Sequence, residues 1–547
     1  MVKNCFLFSI FILFISIKNS FSQPLNKKQV FSRQDTLRGT INEERKWWDV
    51  QHYVIDVEPD YASQSIKGQV VITFKVISSG NKMQIDLQEP MNLDEAVFEN
   101  SKLQFSREEN VFYIQFPKSL SKNSLNQIHL KFSGTPRKAI NPPWDGGWIW
   151  KKDEQGNPWM SVACQGLGAS VWYPCKDHQS DEPDLGASLK MIVPDSLVAV
   201  GNGRLTEKKD AGNGKMAYTW EVKNPINNYN IIPYIGKYVN WNEIYEGEKG
   251  KLDCSYWVLD YNIEKAKKQF EQVKPMLKSF EYWFGPYPFY EDGYKLVESP
   301  HLGMEHQSAV AYGNKFMNGY LGRDLSGSGW GKKWDFIIIH ESGHEWWGNN
   351  ITSKDIADMW VHEGFTNYSE TLFTESQFGK AAADEYLQGI RKGIRNDKPI
   401  TGQYDVNNEG SGDMYNKGGN MLHTIRQLID NDEKFRSILR GLNKNYYHQT
   451  VTGKQVENYI SKKSGIDLSK IFDQYLRTIR IPVFEYKLNG SQLSYRWNNC
   501  VPGFNMSLKL DDGTKLYPTE KWKTKTIKSI KDEIFVDKNF YIKVQKS

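Results

Sequence analysis

The period of the hydrophobic pattern changes twice along this chain, and nothing else in the sequence restricts its fold as strongly. From Trp47 to about Ile244, apolar and polar residues alternate in short runs such as YVIDVEPD, KGQVVITFKVIS, FYIQFP and QIHLKFSG, separated by Gly, Pro and Asn. A period of two marks half-buried strands. After KLDCSYWVLD, the segment NIEKAKKQFEQVKPMLKSFEYWFG has apolar residues three and four apart and stops on glycine, the pattern of an amphipathic helix. Helical patterning continues through WDFIIIHESGHEWWGN, WVHEGFTNYSETLFTESQFG, GGNMLHTIRQLID and GKQVENYISKKSG to about Leu476, and from IPVFEYKLNG onward the alternation returns. With 547 residues the chain exceeds what one hydrophobic core supports. These boundaries predict an α+β multidomain protein: a β-rich N-terminal domain over 46–247, a mainly helical domain over 248–476 and a short C-terminal β-sandwich over 477–547.

The N-terminus adds a prediction about compartment. Met1 to Lys3 provide a basic start and Phe6 to Ile17 an apolar run too short to span a bilayer comfortably, followed by small residues before Gln23. We read residues 1–22 as a signal peptide, with the mature protein secreted or periplasmic and without a membrane span, and the polar stretch 23–45 as a linker or extended arm. A formal net charge of +5 spread over the whole chain provides no basic stripe, so no nucleic-acid partner is expected. Of the five cysteines, Cys5 falls in the leader; Cys164 and Cys175 are close enough in sequence to bridge, while Cys254 and Cys500 read as structural.

His340-Glu341-Ser342-Gly343-His344 lies in a helical segment, where residues four apart stack on one face, so two imidazoles can chelate one ion. Zinc suits such a pair, given one carboxylate and one open position besides. Glu363, in the following helical stretch MWVHEGFTNYSE, has the residue type and position of the third ligand. Glu341 projects beside the open position, where it can take a proton from water and pass it to a leaving amine. Asn367 and Glu370 lie one and two turns beyond Glu363, placed to orient an imidazole. One Zn²⁺ per chain is expected.

HESGHEWWGN followed by WVHEGFTNYSE resembles the zinc signature of the aminopeptidase N family of gluzincins, peptidase family M1, which includes the leukotriene hydrolase branch. Upstream, LGMEHQ is similar to that family's Gly-x-Met-Glu-Asn motif, MYNKGGNML to its Tyr-x-Lys-Gly element, CQGLGASVWYPCKD to a segment whose glutamine shares amine recognition, and DEPDLGASL to a structural element. The resemblance covers most of the chain after the leader. It implies a saddle-like N-terminal β domain, a thermolysin-like catalytic domain and an aminopeptidase acting on peptides with a free N-terminus. Gly303, Met304, Glu305 and Gln165 would bind the substrate, with Glu305 pairing with its ammonium, and Tyr415 would donate to the oxyanion.

Two features depart from the family pattern. His306 stands where asparagine is usual, which bears on the geometry beside the substrate amine, and the sequence given stops after a small β domain, which implies a less enclosed cleft. Other readings of the same residues are a zinc endopeptidase or another amide hydrolase, and a catalytically inactive secreted binding protein of the same fold.

Overall fold

In the strand Trp48–Asp60 the buried side chains are Trp48 and Val50, then Tyr53, Ile55 and Val57, so the apolar phase switches from even to odd positions. A bulge between Val50 and His52 absorbs the switch and keeps every one of these residues on the core side. The computed structural model describes residues 30–527 and 533–547; the signal-peptide reading of residues 1–22 lies outside them. This strand pairs antiparallel with Ser65–Val76 and parallel with Ala187–Pro194, at the centre of an eight-stranded sheet. Four-stranded and three-stranded sheets complete the N-terminal part, around a core that includes Ile72, Phe74, Trp148, Trp172 and Met191.

The polar stretch before Trp47 is not an extended arm where it is described. Arg33–Gly39 and Glu43–Lys46 are helical, the first opened by a reciprocal cap between Ser32 and Asp35. Arg45 is fully buried against Asp86, an ion pair that polarity alone does not announce.

The change of architecture falls earlier than residue 248. The hairpin Tyr238–Gly247 and Gly250–Leu259 joins Tyr294–Glu298, Val310–Tyr312 and Gly303–Met304 in one five-stranded sheet, with Gly303–Met304 at its edge. Strand alternation continues through this hairpin, so the sequence pattern alone cannot assign it to the helical part. The helix Val273–Phe284 ends, as its pattern predicts, on Gly285, whose φ of 98° suits glycine. Around the sheet stand the helices Phe336–Gly343, Trp360–Phe378, Lys380–Ile390, Asn416–Ile429, Asp432–Asn445, Gly453–Ser464 and Ser469–Arg477.

At the C-terminus a four-stranded sheet and a two-stranded ribbon are present among the described residues. Phe484, Leu493, Trp497, Leu508 and Leu516 belong to the same apolar cluster as the catalytic helices, so this part has no separate core. No described helix is long and apolar enough to cross a membrane. Cys164, Cys175, Cys254 and Cys500 are all free thiols.

Candidate metal centre and active-site cleft

The helix Phe336–Gly343 begins where Asp335 accepts hydrogen bonds from the amides of Ile337 and Ile338, at 3.0 and 3.3 Å. Burial of Ile337, Ile338 and Ile339 fixes the helix in the core. His344, one residue past its end, keeps helical angles of φ −64° and ψ −19°, so His340 and His344 share a face. The chain then turns at Gly348, with φ 127°, where a Cβ would lie 3.3 Å from Nδ1 of His344 and of His362.

Glu363 arrives from the first turn of Trp360–Phe378. Its Oε2 lies 3.3 Å from His344 Nε2 and 3.7 Å from His340 Nε2, and it is buried with no hydrogen-bond partner among the described residues. Tetrahedral zinc with bonds of about 2.0–2.1 Å separates its ligand atoms by about 3.3 Å, close to both distances from Glu363 Oε2. Both imidazoles turn Nε2 toward it. His344 Nδ1 donates to the carbonyl of Trp347 at 2.9 Å and His340 Nδ1 to Glu370 at 2.7 Å, so each Nε2, on giving up its proton, can offer a lone pair to a metal.

The charge balance favours a cation. Burial pushes His340 and His344 down, yet the surrounding carboxylates outweigh it and hold both imidazoles above their ordinary range, Glu363 foremost. For Glu363 the burial that would push its carboxyl up is overcome by the two imidazoles, and it stays ionised. Glu370 meets His340 directly, while Asn367 reaches Glu370 at 3.3 and 3.4 Å and does not touch the imidazole. Tyr386 donates to the same carboxylate, a contact with no sequence motif behind it.

Glu341 shares the cleft. Burial pushes its carboxyl up to about 7, against the pull of His340 and His344. Gly303, from the edge strand, leaves it room, and Met304 lines the same wall. Glu305 follows. Its Oε1 accepts from the amide of Gln165 and, at 3.1 Å, from the hydroxyl of Tyr229. Tyr229 sits in the 3-10 turn Asn228–Asn230 of the N-terminal part, and no feature of the sequence singled it out. His306 turns away from the cleft: fully buried, it bonds through Nδ1 to the hydroxyl of Tyr234, which donates to the carbonyl of Ala309 at 2.8 Å. His306 is not among the residues that line the cleft.

Tyr415, at the N-terminus of Asn416–Ile429, stacks 6.0 Å from the His340 ring. Tyr415 keeps 36% of its surface exposed; the protein packed about it and then Glu363 and Glu305 raise its phenol above the ordinary range, so it is a neutral donor at physiological pH. The cleft measures about 1080 Å³ and brings together Gln165, Gly303, Met304, Glu305, His340, Glu341, His344, Glu363 and Tyr415.

Comparison with known proteins agrees with this geometry. The Peptidase family M1 domain profile matches residues 266–475, and the Peptidase M1 N-terminal domain profile residues 49–229. The chain is 21% identical to Probable aminopeptidase 2 of Sulfurisphaera tokodaii over 81% of its own length and 55% of the relative's. It is 22% identical to Leukotriene A-4 hydrolase of Xenopus laevis, over 76% of this chain and 68% of that one. It spans 51% of Aminopeptidase 2 of Candida albicans, so about half of some of the relatives it matches. In fold it is similar to the M1 zinc metallopeptidase from Deinococcus radiodurans, with a TM-score of 0.69 at 20% identity, covering 82% of this chain and 98% of that one. With both domain profiles in order along the chain and the cleft at their junction, the protein belongs to peptidase family M1.

Proposed function

We propose that this protein is a zinc-dependent aminopeptidase that releases N-terminal residues from peptides. One observation carries the reading: ligand atoms of Glu305, His344 and Glu363 lie within 4.8 Å of one another. An α-ammonium paired with Glu305 sits about 2.5 Å from the first carbonyl carbon of its own chain, so that carbonyl alone comes beside the metal ligands. A longer segment before the scissile bond does not fit between them.

His340, His344 and Glu363 would hold a zinc ion, which when bound would supply a Lewis acid to polarise the carbonyl and acidify water. Glu341 takes the proton of the attacking water and delivers it to the leaving amine. Tyr415 donates a hydrogen bond to the oxygen as negative charge develops on it. Glu305 and Gln165 anchor the substrate amine, Gly303 and Met304 offer a strand edge to the substrate backbone, and Glu370 orients His340.

Hydrolysis of a leucyl arylamide, set against its N-acetylated form and repeated with a chelator, tests this reading. Cleavage confined to the free amine and abolished by the chelator is expected; equal cleavage of both forms would rule out the exopeptidase assignment. We also propose export, on the strength of the basic start and the apolar run from Phe6 to Ile17. Sequencing the mature N-terminus should find Gln23 first, and retention of Met1 would refute it.

A further inference from the structure

The segment just before the first strand touches two stretches of chain that line the cleft. Arg38 donates through Nη1 to the carbonyl of Gly166, the neighbour of Gln165, while its Nε lies 3.7 Å from the buried Asp177. Asp177 is in turn tied to Ser170 through that residue's amide, at 3.2 Å, and hydroxyl. Arg38 therefore reaches the turn that carries Gln165 from behind.

The next two residues reach a second stretch of the cleft lining, the loop over 405–409. Gly39 packs so closely on the loop over 405–409 that a Cβ there would lie 2.2 Å from the carbonyl carbon of Val406. Thr40 donates to the carbonyl of Asp405 at 2.7 Å, and the amide of Asn407 donates to the carbonyl of Asp35 at 3.1 Å. Asn407, Asn408 and Glu409 line the same cleft as Gln165 and Gly166, and a Cβ on Gly166 would lie 3.9 Å from Oε2 of Glu409. The segment is fastened from below by the fully buried Arg45, which donates to the carbonyls of Arg38 and Thr40 at 2.8 and 3.2 Å.

We infer that residues 33–40 form a strap that sets the spacing between the Gln165 turn and the 405–409 loop, with Arg38 as a positioning residue for the amine end of the substrate. The inference rests on the aminopeptidase reading above. The Gln165 amide donates to Glu305 and, at 3.5 Å, to Oε1 of Glu363, and its backbone lies in a turn between strand and 3-10 helix. Freed from Arg38, the turn gains conformational freedom that substrate binding must remove, which weakens ground-state binding while Glu341, Tyr415 and the metal-facing Oε2 of Glu363 keep their places.

The test compares the full chain with Arg38→Ala, Arg38→Lys and Arg33→Ala, using leucyl arylamide and hydrogen exchange. Arg33 pairs with Glu108 on the exposed side of the same helix and serves as the control. If the unaltered enzyme does not discriminate free from acetylated amine, the aminopeptidase reading fails first and separately. Given that discrimination, Arg38→Ala should raise KM roughly tenfold, with kcat within about twofold, Arg38→Lys should recover part of the loss, and Arg33→Ala should change neither. Exchange should quicken at 165–168 and 403–409 and stay unchanged at 340–344. Should Arg38→Ala not fold, Arg38→Lys and Thr40→Val carry the same readouts with smaller expected shifts. Unchanged KM, or exchange that quickens only within 30–46, would overturn the strap.

Discussion

A Cβ added to Gly303 would lie 2.8 Å from Oε1 of Glu341, closer than side-chain atoms tolerate. The same Cβ would lie 2.8 and 2.9 Å from two methyl carbons of Ile337, so the edge strand and the motif helix leave no room for a side chain there and the Glu341 carboxylate would have to shift. Gly303→Ala should lower kcat at least tenfold by displacing Glu341 while leaving zinc content and the fold intact. Kinetics with metal analysis and circular dichroism check this, and unchanged kcat would show that the carboxylate has other room.

Removing the base itself should cost more. Glu341→Gln keeps the shape and removes the proton acceptor, so turnover should fall by a factor of about 10² to 10⁴ with one zinc still bound per chain. Near-normal turnover in a fully metal-loaded variant would withdraw the assignment.

The hydrogen bond between Glu370 and His340 should appear in metal affinity. Glu370→Ala removes the acceptor that fixes the imidazole tautomer, and we expect zinc affinity to drop by roughly 10- to 100-fold. Competition with a chromophoric chelator measures it. Tyr386→Phe should move in the same direction by less, since Asn367 still holds the carboxylate.

Tyr415→Phe should lower kcat by about 10²-fold with little change in KM, because the phenol acts on charge that exists only in the transition state. A KM effect as large as the kcat effect would assign it to ground-state binding instead.

The buried histidines should each draw stability down on mild acidification. Burial pushes His178, His301 and His362 down to about 3, below the ordinary 6.5, so the unfolded chain takes up protons that the folded chain refuses. Each therefore contributes stability that is present above pH 6.5 and lost as pH falls toward 3. Burial acts oppositely on Glu182 and Glu298, raised to about 7, whose contribution is lost as pH rises between about 4.5 and 7. His301→Phe isolates the histidine part: its Tm should drop less than the unaltered protein's between pH 7 and pH 5, and an identical drop would contradict the neutral buried state.

What the sequence by itself determined is the chemistry that short-range geometry carries. His340 and His344 share a helix face because backbone hydrogen bonds impose that spacing on any helix, and the shift from alternating to helical periodicity separates the strand-rich part from the helical one. Tertiary structure decided where distant segments converge. Gln165 and Tyr229 from the N-terminal part meet Glu305 just past an edge strand, Tyr386 meets Glu370 across two helices, and the segment before Trp47 folds against two stretches that line the cleft. No local periodicity encodes those meetings, since they depend on how two cores and the polar segments between them pack, and a polar stretch such as 33–46 reads as solvated until the buried acceptors that satisfy Arg38 and Arg45 are in place.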